Sequence, residues 1–238
     1  MIRGGIAKTE KRKLAENILR TLSKHLRSRP HLGAHSEYSP FQVLISAVLS
    51  QRTRDESTAV ASARLFEKFG TAEKIARAPQ KEIEKLIRAS GFYRQKAKRI
   101  REVSGKIIEN FGGKVPKTKK ELMSLPGVGA KTANCVLVYA FGTPAIPVDT
   151  HVHRISNRLG LVKTKSPEKT EKELEKIFER KDWLAVNDLF VRFGQTVCRP
   201  VGPKCAQCPL LSVCPFGKEK PRNCGKTGKY EKMRRSPD

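Results

Sequence analysis

The sequence predicts an all-α fold, on three observations. Apolar residues recur at three- and four-residue spacings along most of the chain, the period of a helix buried on one face. No convincing run alternates apolar and polar residues, and no hairpin turn separates two such runs. The stripes stop at Gly and Pro, which punctuate helices.

Taken in order, Leu14, Ile18, Leu19 and Leu22 mark a first amphipathic helix. Phe41 to Leu49, "FQVLISAVL", is apolar nearly all round, as a central buried helix should be. Ala59, Ala63 and Phe66 continue the pattern, and Ile83, Leu86 and Ile87 predict a short helix closed by Gly91. Ile100, Val103, Ile107, Ile108 and Phe111 mark a longer one that stops at Gly112-Gly113. A helix ends near Ser124, another starts near Ala130, and a third begins near Thr150. Leu174, Ile177 and Phe178 follow the same spacing later in the chain. From Lys218 onward the chain is polar and basic with scattered Gly and Pro, the composition of a mobile tail.

Lys and Arg number 49 against 23 Asp and Glu, a net charge of +26. The basic residues are spread along the chain, so the plainest partner is a polyanion. A membrane is the weaker choice, because no apolar run approaches the ~20 residues that span one. The first twenty residues hold no apolar signal core, and Glu10 and Glu16 argue against a transit peptide. The expected setting is cytoplasmic, with no secretion signal, where six cysteines do not form disulfides.

Cys198, Cys205, Cys208 and Cys214 read C-x6-C-x2-C-x5-C. Thiolates this close together suit a soft metal centre. Structural zinc usually takes two separated C-x2-C pairs, and only one exists here, which favours iron–sulfur with zinc as the alternative. Cys135 lies in an apolar helix and reads as core; Cys224 in the tail has no visible partner.

In Leu125-Pro126-Gly127-Val128-Gly129, glycines permit a tight turn and close approach of a ligand to the backbone. The N–H groups at the start of the next helix form an anion site, for which a nucleic-acid phosphate is the natural occupant. An ordinary helix–helix turn would look the same. Lys131 is electrostatically misplaced here, since a helix start already carries partial positive charge.

"LPGVGAKTA" resembles the helix-hairpin-helix of DNA glycosylases, and "VDTHVHRISNRLG" resembles the segment carrying their catalytic aspartate. The cysteine spacing is similar to the four-iron, four-sulfur loop of the endonuclease III branch, and "LISAVLSQRTRDEST" and "GFYRQKAKRI" match it too. The resemblance spans roughly residues 15 to 215. It implies two helical domains with a DNA-binding cleft between them. Residues 33–143 would form a central six-helix domain with the hairpin. Residues 1–32 and 144–216 would form a discontinuous domain with a 4Fe-4S cluster held by the four cysteines, and 217–238 a basic tail.

It also implies a monomeric, nucleoid-associated enzyme acting on double-stranded DNA that contains damaged bases or abasic sites. Lys131 would attack the anomeric carbon of an oxidised pyrimidine nucleotide, form a Schiff base and cut the strand by β-elimination. Only the neutral amine attacks, and a lysine with a pKa near 10.4 is neutral about once in 2,500 molecules at pH 7. A helix start disfavours the ammonium, which gives the misplaced lysine a reason. Asp149 would stabilise positive charge on the sugar and assist proton transfer; it is equally placed to cap the helix near Thr150. A base must leave the stack to be cut, and Gln51 and Phe92 fall where the family places residues that fill the gap. The family usually has leucine at the second position, and Phe92 also reads as core packing. Gly127 and Gly129 would contact DNA through their backbone, and His151 would contact phosphate, orient Asp149, or serve packing alone.

Three alternatives remain. Adenine mismatch glycosylases of this fold lack the lysine and carry a glutamate where Ala47 stands here. Uracil or thymine mismatch glycosylases differ in pocket residues that the motifs do not locate. A non-catalytic DNA-binding module would use the hairpin and the basic charge without chemistry.

Overall fold

A capping box begins the helix around which one half of the structure is built. Ser39 Oγ accepts the Gln42 N–H, the Gln42 side chain accepts the Ser39 N–H at 2.9 Å, and Pro40 occupies the first turn. The structure is a computed structural model and describes residues 8–26 and 38–219. Those residues form twelve α-helices and three short 3-10 segments, with no β-strand among them. The predicted all-α class is therefore observed. The predicted tail beyond residue 219, with Cys224, lies outside the described residues.

The chain divides into two compact units, Pro30–Pro147 and Met1–Arg29 with Val148–Asp238. The first holds α2 (Pro40–Leu49), α3 (Asp55–Lys68), α4 (Ala72–Arg77), α5 (Gln80–Leu86), α6 (Tyr93–Phe111), α7 (Lys119–Ser124) and α8 (Ala130–Phe141). The apolar run of α2 is buried on nearly every face, from Phe41 to Leu49, with α3, α6 and α8 packed against it. On α6 the buried positions are Lys96, Ala97, Ile100, Val103, Ser104 and Ile107, one stripe at helical spacing with a lysine at its head. The helix stops at Gly112 in the left-handed region (φ 57°), as the Gly-Gly pair predicts.

One boundary differs from expectation. The helix with Ile83 ends at Leu86 and is not closed by Gly91. Gly91 has another use: a Cβ there would lie 3.1 Å from the Arg52 carbonyl, so its missing side chain lets two loops meet.

The second unit holds α1 (Lys8–His25), α9 (Thr150–Arg158), α10 (Pro167–Ile177), α11 (Trp183–Thr196) and α12 (Pro215–Glu219). α11 is its core helix, with Phe190 and Phe193 fully buried and α1 and α9 packed against it. Phe178 meets Phe190 edge to face at 6.5 Å, a favourable aromatic geometry. The Arg192 guanidinium closes the end of α1 by donating to the Leu26 carbonyl. No helix among the described residues is long and apolar enough to cross a membrane.

Candidate active site and metal centre

The glycine turn between α7 and α8 holds two glycines for different reasons. Gly127 has φ 70°, and a Cβ there would meet the Arg99 side chain at 2.3 Å. Left-handed backbone favours glycine at that position, and a Cβ would displace the Arg99 side chain. Gly129 is extended (φ −88°), and nothing lies within 4 Å of where its Cβ would stand. It occupies the N-cap position of α8 without a side-chain cap, so the first-turn N–H groups are left for water or an anion. Lys131 is the second residue of that helix and its side chain is exposed.

Gln51 is tied to the same turn. Its Nε2 donates to the Gly127 carbonyl at 2.9 Å and to Thr132 Oγ1 at 3.3 Å. Arg99 Nη1 approaches Gln51 Oε1 at 3.5 Å. Phe92 stands 56% exposed with φ 56°, so it is not core packing. The Arg52 guanidinium lies 5.9 Å from its ring centroid.

In the second unit, Asp149 is the N-cap of α9. Its Oδ1 accepts the N–H groups of His151 and Val152, each at 2.8 Å. Both bonds end on one oxygen, so Oδ2 takes no part in the cap. The His151 ring lies against Gly194 of α11, where a Cβ would come within 2.4 Å of Nδ1. That nitrogen is 3.1 Å from Arg154 Nη2. The structure thus gives His151 a packing role at the α9–α11 contact.

Cys198, Cys205, Cys208 and Cys214 line one cavity, walled also by Leu159, Phe193 and Phe216. The arginines of α9 hold its rim. Arg154 Nη2 donates to the Cys198 carbonyl at 2.8 Å and Arg158 Nη1 to the Arg199 carbonyl at 2.7 Å. Arg158 Nη1 also points at Cys198 Sγ from 3.4 Å, and the Gly217 N–H at Cys214 Sγ from 3.4 Å. A Cβ on Gly217 would stand 2.9 Å from Leu211 Cδ1, so glycine is needed to close the wall. Burial pushes the Cys214 thiol up from its usual range. Among the described residues, no group of three or more His, Cys, Asp or Glu side chains is gathered as a single ion would require.

The sequence reading missed Lys96, Arg99, Arg154 and Arg158. Lys96 is only 3% exposed, and burial, with a smaller push from Arg99, brings it down to about 8. The signal was its place on the apolar stripe of α6, four residues before Ile100.

Comparison with known proteins places these features in context. A family model described as HhH-GPD superfamily base excision DNA repair protein matches residues 45–180. Endonuclease III of Thermotoga maritima is 51% identical over 193 residues, covering 79% of this chain and 91% of that protein. Endonuclease III of Bacillus subtilis is 40% identical over 193 residues, covering 80% of this chain and 88% of that one. Among solved structures, a trapped endonuclease III–DNA covalent intermediate superposes with a TM-score of 0.81 at 37% identity, covering 92% of this chain and all (100%) of the other. A thermostable thymine-DNA glycosylase superposes with a TM-score of 0.76 at 27% identity, covering 90% and 100%.

Proposed function

We propose that this chain, which belongs to the HhH-GPD superfamily of base excision DNA repair proteins, excises oxidised pyrimidines from duplex DNA with Lys131 as its nucleophile. It is a DNA glycosylase and abasic-site lyase of the endonuclease III kind, and its partner is DNA. The observation that carries the assignment to Lys131 is its place: second in an uncapped helix, directly after a glycine turn held by Gln51.

The neutral amine of Lys131 attacks C1′ of the damaged nucleotide. The C1′–N bond breaks, and the base leaves with the electron pair and takes up a proton. Loss of the amine proton and opening of the sugar give a Schiff base. Removal of a C2′ proton then expels the 3′ phosphate and cuts the strand, and water releases Lys131. The positive end of α8 disfavours the ammonium that cannot attack. The same uncapped N–H groups receive a phosphate and hold the backbone in register without reading sequence. Asp149 takes the role the resemblance implies, stabilising the charge that develops on the sugar; its cap bonds engage Oδ1 and leave Oδ2 out of the cap. Gln51 and Phe92 fill the space from which the base is extruded.

Cys198, Cys205, Cys208 and Cys214 fit a four-iron, four-sulfur cluster. Here the sulfurs line a shared cavity, with N–H groups of Arg158 and Gly217 directed at two of them. When bound, the cluster supplies a rigid anionic brace for the loop that Arg154 and Arg158 grip. Iron and sulfide in equal amounts are the expected analysis, and one zinc per chain would overturn the assignment.

Oxidised pyrimidines are the substrate that the resemblance to the endonuclease III branch implies. The test is a panel of duplexes, each with one oxidised pyrimidine, a thymine–guanine mismatch or an adenine mismatch, incubated with enzyme and borohydride. Covalent trapping on the oxidised pyrimidine is expected. Excision confined to the thymine mismatch would place the protein with the thymine glycosylases instead.

A further inference from the structure

Two loops of the first unit, one after α2 and one before α6, are joined from beneath by a single buried side chain. Lys96 Nζ stands 2.6 Å from the Gln51 carbonyl, 2.7 Å from the Leu49 carbonyl, 2.7 Å from Thr53 Oγ1 and 2.9 Å from Ser90 Oγ, and shares its three N–H groups among these four oxygens. Three partners belong to the first loop and its helix end, and the fourth to the second loop. None of the four is a carboxylate. The loops also bond to each other directly, since the Gly91 N–H donates to Thr53 Oγ1 at 3.1 Å and Ser90 Oγ to the Leu49 carbonyl at 3.0 Å.

An ammonium buried on neutral oxygens is an expensive way to hold two loops, because no anion offsets its desolvation. What the loops carry explains the arrangement. Each holds a non-glycine residue in left-handed backbone, Arg52 at φ 53° and Phe92 at φ 56°. Such conformations persist only where the surroundings over-determine them. The first loop carries Gln51, half-buried, beside the exposed Arg52, and the second carries Phe92, exposed.

We infer that Lys96 is a positioning residue that locks Gln51 and Phe92 into one rigid pair, so that both enter the duplex together when a nucleotide is extruded. The inference rests on the reading that Gln51 and Phe92 fill the vacated space. The lock reaches the hairpin as well: Lys96 holds the backbone of Gln51, and the side chain of Gln51 holds Gly127. Neither Lys96 nor Thr53 needs to touch DNA for this.

The test compares Lys96→Met, Thr53→Val and Phe92→Ala with wild type in the full-length holoenzyme. Lys96→Met keeps the stem and removes the donors; Thr53→Val keeps the shape and removes the acceptor shared by Lys96 and Gly91. Two activities are measured: single-turnover excision of an oxidised pyrimidine from duplex, and strand cleavage at a pre-made abasic site in single-stranded DNA. The second needs no wedge. Lys96→Met is expected to slow duplex excision by about 10- to 100-fold, the scale of a misplacement near 1 Å. Thr53→Val should do so less, and single-strand cleavage should stay within about twofold in both. Loss of both activities together, or duplex excision at the wild-type rate in folded Lys96→Met and Thr53→Val, overturns the inference. If Phe92→Ala slows duplex excision while Lys96→Met and Thr53→Val do not, only the lock fails. If Phe92→Ala also excises at the wild-type rate, the wedge reading fails and the lock with it.

Discussion

Gln51 donates its side-chain amide to the carbonyl of Gly127 at 2.9 Å, joining the end of α2 to the glycine turn before α8. The two glycines of that turn should respond differently to alanine.

Gly127→Ala puts a Cβ into left-handed backbone and into the Arg99 side chain. Arg99 can move, but only by leaving Gln51. A loss of about 1–2 kcal/mol of stability is expected, measured by denaturant unfolding. Gly129→Ala meets no atom and no strain. It should leave Tm almost unchanged yet weaken duplex binding, because the methyl group crowds the face where the uncapped N–H groups receive phosphate. Equal effects of the two substitutions on Tm would contradict this division of labour.

Asp149→Asn separates the cap from the charge. Asparagine caps a helix about as well as aspartate, so stability should hold. Excision should slow by about 10²–10³-fold, the scale of one well-placed electrostatic group in a transition state. Cleavage at a pre-made abasic site should suffer less, because no base is left to expel. Rates on the two substrates decide the point; equal loss on both would leave Asp149 as a cap alone.

Lys96 should give stability a pH signature. Its folded value is about 8, against an ordinary 10.5 that the unfolded chain retains. Between those values the unfolded state holds more protons, so unfolding free energy rises with pH through this window and this contribution is flat below it. Relative to Lys96→Met, the wild type should gain up to about 3 kcal/mol from pH 7.5 to 10.5. A difference that shrinks as pH rises would contradict the buried ammonium.

Much of this was legible in the sequence. The all-round apolar run of α2, the stop at Gly112 and the glycine turn each follow from a local rule, and each is where that rule puts it. Asp149 was legible as a cap because capping needs only one residue and the N–H groups two and three residues on. The stripe Val186, Leu189, Phe190 and Phe193 of α11 carries the same helical spacing and was not read from the sequence. Lys96 was hidden by composition: among 49 basic residues, one more lysine reads as solvated. Three of its four partners are backbone carbonyls and a hydroxyl more than forty residues earlier, which no periodicity reveals. Gly91 was misread for a similar reason, since a glycine that lets loops touch looks like one that ends a helix. The arginines that grip the cysteine loop, Arg154 and Arg158, act on carbonyls about forty residues away and leave no local trace.

Borohydride trapping on a duplex with one oxidised pyrimidine, with wild type and Lys131→Ala side by side, tests the central claim most directly. Lys131→Ala keeps the hairpin backbone, so duplex binding should fall only by the worth of one charge, about tenfold or less. Wild type should form a covalent protein–DNA adduct and Lys131→Ala none, with strand cleavage lost as well. An adduct formed by Lys131→Ala at the wild-type rate would mean that another amine is the nucleophile.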